Sequence, residues 1–248
     1  MRDQLKSIKK KTENKVVTID DPEDKRLEAD LAFYPPVPQL EKLNWNGFGG
    51  ELYVGWEYVI LRKEFLKKYP KPKNTTPNIL VSMGGTDEKN MTEFVINSMK
   101  QINEKFKATI IVGSGYPYIL QLKKRLEKVH FEFELLQNPK DIAKIMSQSD
   151  FSIISFGQTA YELAALNVSA LYICLTDDHF ESSKLFMKNG AGTSLGIFSL
   201  MKQEGLAEAI KFHLSENQVV KDMPISANIL NISNLLKVSK ESIDDKKV

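Results

Sequence analysis

The sequence predicts an α/β fold in which a parallel sheet carries helices on both faces, preceded by the remnant of a second α/β domain. Three observations lead to it. From Ile79 onward, short apolar runs alternate with stretches of helical periodicity, the pattern of successive β-α-β units. Two of those runs, Ile79–Val81 and Phe151–Ile154, end in glycine-bearing turns that open helices, at Gly84-Gly85 and at Gly157. Upstream, a basic stretch with Pro70, Pro72 and Pro77 reads as a linker from an earlier, less regular segment. The organisation expected is residues 1–75 as a partial N-terminal domain and linker, 76–238 as the main domain and 239–248 as a charged tail.

The first segment opens with Met1–Lys15, basic and without the apolar centre of a signal peptide. Val16-Val17-Thr18-Ile19 reads as a short strand ending in Asp20-Asp21, and Ala29–Phe33 as a second. Pro35, Pro36 and Pro38 exclude helix and regular sheet locally, because proline lacks an N–H and fixes φ. Gly47, Gly49 and Gly50 mark a loop, and Tyr53–Leu66 reads as a short strand followed by a helix.

In the main domain, a strand at Ile79–Met83 precedes a helix near Asn90–Ile102, where Met91, Phe94, Val95, Met99 and Ile102 hold helical spacing. Asn90 and Glu93 form a candidate capping pair. Thr109–Val112, Glu132–Leu136, Phe151–Ser155 and Ala170–Leu175 read as further strands, with Thr193–Leu195 a last short one. Between them, helices are expected around Leu120–Val129, at Asp141–Gln148, from Gly157 to Leu166 and at Phe180–Lys188, the last closed by Asn189-Gly190. Two more follow, at Met201–Ser215 and at Pro224–Val238, where Ile225, Ile229, Ile232 and Leu236 share one face.

Composition narrows the function classes. The chain has 248 residues, enough for one large domain or two small ones, and its hydrophobic (42%) and charged (27%) shares are ordinary for a globular protein. Lys+Arg 34 against Asp+Glu 32 gives a net charge of +2, so no nucleic-acid partner is expected. Cys174 is the single cysteine, which excludes an internal disulfide and a cysteine-cluster metal site; it reads as a core thiol rather than a nucleophile. No cofactor or metal is called for, and no His spacing resembles a metal site. His130 and His213 read as surface residues. No apolar run approaches the roughly 18 residues of a membrane span, so a soluble cytoplasmic protein is the expectation.

In a parallel α/β sheet, ligands bind outside the carboxyl ends of the strands. Four loops lie there. Gly84-Gly85 allows unusual φ and close backbone approach, suiting it to a phosphate or simply to a tight turn; it matches neither a Walker motif nor G-x-G-x-x-G. Gly113-Ser114-Gly115 reads as a turn. Thr159 and Glu162, three apart, share a helix face behind Gly157. Thr159 can offer a hydroxyl to a phosphate and Glu162 can accept from ribose hydroxyls, or both can be ordinary first-turn residues favoured by the helix dipole. Asp177, Asp178 and His179 form the most polar strand end; His179 is a candidate acid/base or sugar donor, and the aspartates are equally candidates for helix capping.

Together, Met83-Gly84-Gly85-Thr86-Asp87, Ser155-Phe156-Gly157-Gln158-Thr159-Ala160-Tyr161-Glu162 and Asn189-Gly190-Ala191 resemble the C-terminal, Rossmann-like domain of GT-B nucleotide-sugar enzymes. The resemblance is to UDP-sugar hydrolases of pseudaminic acid synthesis and to spore-coat polysaccharide glycosyltransferase-like proteins. It extends upstream through Val17-Thr18-Ile19-Asp20-Asp21 and Gly55-Trp56-Glu57-Tyr58, covering roughly residues 15–236. It implies UDP or a UDP-sugar as ligand, with Gly84, Gly85, Gly157, Thr159 and Glu162 at the nucleotide and Tyr58, Asp178 and His179 at the sugar. The family shows Asn-Gln where this chain has Asp178-His179. Its opening Gly-His loop, which supplies the catalytic base, has no counterpart before Lys15. The resemblance therefore implies the C-terminal nucleotide-binding portion of a UDP-sugar hydrolase or glycosyltransferase of bacterial surface polysaccharide or nonulosonic acid synthesis, as a truncated gene product or a half-enzyme that needs a separate N-terminal domain; the alternative is a nucleotide-sugar-binding module without catalysis.

Overall fold

Between Val17 and Val54, three short apolar runs pair side by side as β1 (Val17–Ile19), β2 (Leu31–Tyr34) and β3 (Glu51–Val54), all parallel and in that spatial order. The structure is a computed structural model describing residues 2–12, 14–71, 74–215 and Ile225. The helix expected over Pro224–Val238 lies outside these, Ile225 apart, as does the charged tail. The chain divides into two units, the first running to Arg62 and the second beginning at Lys63.

In the first unit β2 is buried at every position, as a central strand covered on both faces must be. Ala32 and Tyr34 pack with Trp45 and Phe48 on one face. On the other, Phe33 stacks on Tyr53 at 5.0 Å. The irregular, proline-bearing segment is pinned by Arg26, which is 1% exposed. Its guanidinium donates to the carbonyls of Pro22 (3.1 Å) and Asn44 (2.6 Å) and lies 5.1 Å from the Trp45 ring centre. A helix not anticipated from the sequence, α1 (Arg2–Thr12), lies upstream, held by ion pairs from Arg2 to Glu28 (2.7 Å) and from Lys9 to Asp30 (2.6 Å).

The helix expected within Tyr53–Leu66 does not form. Two 3-10 turns, Trp56–Tyr58 and Lys63–Leu66, stand in its place, with Val59 extended between them. The reason lies in the apolar spacing: Val59, Leu61 and Phe65 are the buried positions, and that order does not make one helical face.

The second unit follows the predicted alternation closely. Its strands are β4 (Asn78–Ser82), β5 (Lys107–Val112), β6 (Glu132–Gln137), β7 (Phe151–Ser155), β8 (Ser169–Cys174) and β9 (Gly192–Ile197). Its helices are α2 (Met91–Met99), α3 (Ile119–Leu126), α4 (Ile142–Ser147), α5 (Gln158–Ala165), α6 (Asp177–Lys188) and α7 (Gln203–Ser215). The sheet is parallel throughout in the order β6-β5-β4-β7-β8-β9. Strand order reverses between β4 and β7, so this pair is the topological switch point. Ile79, Val81, Ile110 and Ile153 form the core with Val95 and Met99 of α2 and Leu206 and Ile210 of α7. His213 continues the α7 stripe and is 5% exposed, its ring 5.5 Å from that of Phe151 and its Nδ1 3.0 Å from the Ala209 carbonyl oxygen. The surface position expected for it is corrected: its spacing from Leu206 and Ile210 turns it inward. The α6 terminus forms as expected, with Gly190 at φ 76.

Candidate functional site

Pairing of β4 with β7 (Val81 beside Ile153, Ser82 beside Ile154) brings two of the predicted loops out side by side. Gly84 and Gly85 follow β4; Phe156 and Gly157 follow β7. Gly84 sits at φ 87, a left-handed conformation that favours glycine. A Cβ placed on Gly84, Gly85 or Gly157 would meet nothing within 4 Å, so all three present bare backbone to open space. Bare backbone at a switch point suits close approach of a ligand.

Gly113 is different. A Cβ there would lie 2.1 Å from the Gly85 carbonyl oxygen and 2.6 Å from its Cα. The segment read as a mere turn is the backbone surface against which the Gly84-Gly85 loop rests. No local signal marks this, because the contact joins residues 28 positions apart.

The capping pair Asn90/Glu93 is corrected. Asn90 sits at φ 51 and makes no side-chain cap bond; its Oδ1 accepts from the Tyr116 hydroxyl (2.6 Å) and its Nδ2 donates to Glu93 (2.8 Å). Asp87 caps α2 instead, its carboxylate accepting from the backbone N–H groups of Met91 (2.7 Å) and Thr92 (2.8 Å). Burial raises the Asp87 pKa, and these hydrogen bonds oppose the rise.

Gly157 caps α5, and Thr159 stands half-buried in its first turn. Glu162, a helical turn further on, is 8% exposed. Helix α6 begins at Asp177, not at Phe180 as predicted: the Thr176 hydroxyl accepts from the His179 backbone N–H (3.1 Å) and starts the helix early. Asp177, Asp178 and His179 are therefore its first turn rather than a strand-end loop. Thr176 is the cap, while the aspartates lie at the positive end of the helix dipole. The His179 ring lies 6.0 Å from that of Phe156, which sets it beside the Gly157 turn. Its Nδ1 is buried with no hydrogen-bond partner among the described residues. Burial lowers the His179 pKa, with Asp178 pulling the other way.

Gly84, Gly85, Gly157, Thr159, Glu162, Asp178 and His179 thus belong to one edge of the second unit. Tyr58 belongs to the first, half-buried and 5.6 Å from each of the Phe33 and Tyr53 rings. Cys174 is buried with its Sγ 3.5 Å from Ser183 Oγ, and burial pushes its thiol pKa up. Among the described residues no helix is long and apolar enough to cross a membrane.

The parallel sheet, its reversal at β4 and β7 and the glycine loops there define a Rossmann-like unit of the GT-B class. The solved structures agree. Acinetobacter baumannii MurG superimposes with a TM-score of 0.62 at 19% identity, over 91% of this chain and 72% of that one. Methanocaldococcus jannaschii UDP-GlcNAc 2-epimerase, solved in complex with UDP-GlcNAc and UDP, gives 0.55 at 12%, over 95% and 79%. Such identities establish the fold alone. No protein-family model matches the chain. Among curated proteins, it is a relative of the spore coat polysaccharide biosynthesis protein SpsG of Bacillus subtilis, 27% identical over 207 residues. That match covers 82% of this chain and 61% of the Bacillus protein. It is also a relative of the UDP-2,4-diacetamido-2,4,6-trideoxy-beta-L-altropyranose hydrolase of Campylobacter jejuni, 26% identical over 192 residues, covering 76% of this chain and 68% of that one. These are the two groups to which the sequence motifs pointed.

Proposed function

We propose that this chain is the nucleotide-binding portion of a UDP-sugar hydrolase or glycosyltransferase of bacterial surface-polysaccharide or nonulosonic acid synthesis, acting in the cytoplasm. The observation that carries the proposal is the emergence of two bare glycine loops from adjacent strands β4 and β7 at the switch point. In this reading Gly84, Gly85 and Gly157 let the diphosphate approach the backbone, and Thr159 donates its hydroxyl to a phosphate oxygen. Glu162 accepts from the ribose hydroxyls, while Asp178 contacts the sugar. The bond between the anomeric carbon and the β-phosphate oxygen breaks and UDP leaves. Water attacks that carbon in a hydrolase, an acceptor hydroxyl in a transferase.

His179 serves as a donor rather than as the base. With no partner at buried Nδ1 among the described residues, a bare lone pair there is more tolerable than a bare N–H, which puts the proton on Nε2. The base then comes from a separate N-terminal domain, the partner that the family resemblance implies. UDP release from several UDP-sugars is the test. The chain alone is expected to bind without turnover and to turn over once that domain is supplied. Robust turnover by the chain alone, lost in His179→Ala, would overturn the half-enzyme reading.

A further inference from the structure

The loop after β4 carries three residues in the left-handed region: Gly84 (φ 87), Asp87 (φ 43) and Asn90 (φ 51). Asp and Asn tolerate that region better than most residues, yet it still costs them free energy. A loop of this kind keeps its shape only where its surroundings hold it. Its second half is held from within. The Asn90 N–H donates to the Asp87 carbonyl oxygen (2.9 Å), and the Asp87 carboxylate holds the first amides of α2. Its first half, Gly84-Gly85-Thr86, rests on the loop after β5.

That second loop turns back on itself, with the Tyr116 N–H donating to the Gly113 carbonyl oxygen (3.2 Å). One end of the turn, Gly113, lies against Gly85. The other end, Tyr116, is 3% exposed, and its hydroxyl stands 2.6 Å from Asn90 Oδ1. Tyr118 adds a hydroxyl bond to the Glu88 carbonyl oxygen (3.3 Å). The β5 loop thus grips the β4 loop at both ends. The direction of the Tyr116 bond follows from its neighbours. Glu93 is paired with Arg125 of α3, so its carboxylate is ionised and can only accept. The Asn90 Nδ2 faces it, which turns Oδ1 toward Tyr116 and makes the phenol the donor. Burial pushes the Tyr116 pKa up, so that proton stays in place.

We propose that Tyr116 is a positioning residue for the nucleotide. Through Asn90 it keeps the β4 loop in the shape that presents the Gly84-Gly85 backbone to a diphosphate, and it touches no ligand itself. This rests on the nucleotide site of the proposed function. A loop already in its binding shape spares the ligand the cost of ordering it, so loosening the grip appears as lost affinity.

The test is Tyr116→Phe, which keeps the ring and deletes the donor. UDP binding should weaken by about three- to tenfold, the worth of one hydrogen bond. Without ligand, amide exchange over residues 84–90 should quicken by a similar factor, while that of β4 stays unchanged. Asn90→Gly keeps the left-handed turn and removes the acceptor. Alone it should weaken UDP binding as much, and in that background Tyr116→Phe should add nothing further. Tyr172→Phe is the control. It deletes another buried hydroxyl of the same unit, one bonded to the Ala191 carbonyl oxygen (3.0 Å). It should lower thermal stability and leave UDP affinity unchanged, because affinity measured well below the unfolding transition does not register a global loss of stability. Circular dichroism checks that each variant is folded. UDP binding that survives Tyr116→Phe undiminished would overturn this inference alone. An equal loss in Tyr172→Phe, or a full further loss from Tyr116→Phe in the Asn90→Gly background, would also overturn it. Failure of the unaltered chain to bind UDP would overturn the nucleotide site and this inference with it.

Discussion

Gly113 lies against the backbone of Gly85 so closely that a Cβ on it would stand 2.1 Å from the Gly85 carbonyl oxygen. The loop after β5 thereby sets the height of the loop after β4, and the bare backbone of Gly84 and Gly85 depends on a third glycine that touches no ligand in the proposed site.

Gly113→Ala should therefore displace the Gly84-Gly85 loop. Overpacking of this kind costs about 1–3 kcal/mol, and weaker UDP binding should accompany it. Gly115→Ala is the control, because its Cβ would meet Thr86 Cγ2, the tip of a side chain, at 3.2 Å and the Gly85 carbonyl oxygen only at 3.7 Å, an ordinary van der Waals contact. Denaturant unfolding and UDP titration of both variants check the contrast; equal effects would remove the special role of Gly113.

Asp87→Ala should cost about 1–2 kcal/mol, the usual worth of a helix cap. The carboxylate satisfies the first two backbone N–H groups of α2, and Asp87 also holds φ 43, which alanine tolerates poorly. Asp87→Asn keeps an accepting oxygen and tolerates that φ, so it should recover most of the loss in thermal unfolding.

The pH dependence of stability should carry a contribution from His179. Its folded pKa lies below the ordinary 6.5 because burial disfavours the charged form. As pH falls below about 6.5, the unfolded chain takes up the proton before the folded one. Stability should fall through that window and level off below the folded pKa. His179→Gln should flatten that part of the curve; an unchanged curve would show that other groups set it.

Glu162→Ala should weaken UDP binding and leave the fold intact. A lost charge-assisted hydrogen bond is worth roughly 1.5–3 kcal/mol, or about ten- to hundredfold in Kd. Calorimetry gives the answer directly, and unchanged affinity would return Glu162 to a helix-dipole role.

The second unit was legible in the sequence because its buried strands are continuous apolar runs, such as Ile79–Val81 and Phe151–Ile154, and its helices keep 3.6-residue spacing. What escaped was set by contacts between distant residues or by competing local bonds. Helix α1 is short, basic and held by ion pairs to Glu28 and Asp30, so no apolar stripe announced it. The start of α6 moved because the Thr176 hydroxyl captured the His179 N–H. Asp87 displaced Asn90 as cap once Tyr116 claimed the Asn90 side chain. The glycine loops were visible as motifs, but only the β4–β7 pairing sets them side by side, and only the packing of Gly85 gives Gly113 its role.

The central claim is that the β4–β7 switch point binds the nucleotide of a UDP-sugar. Its most direct measurement is the stability of the chain titrated with UDP, CMP and GDP in parallel. The account predicts that UDP, at roughly 100 times its Kd, adds about 2.7 kcal/mol to the stability of the unliganded chain, that CMP and GDP at the same concentration add less, and that Glu162→Ala shifts the UDP response to higher concentration. Equal stabilisation by all three nucleotides, or none by any, would contradict it.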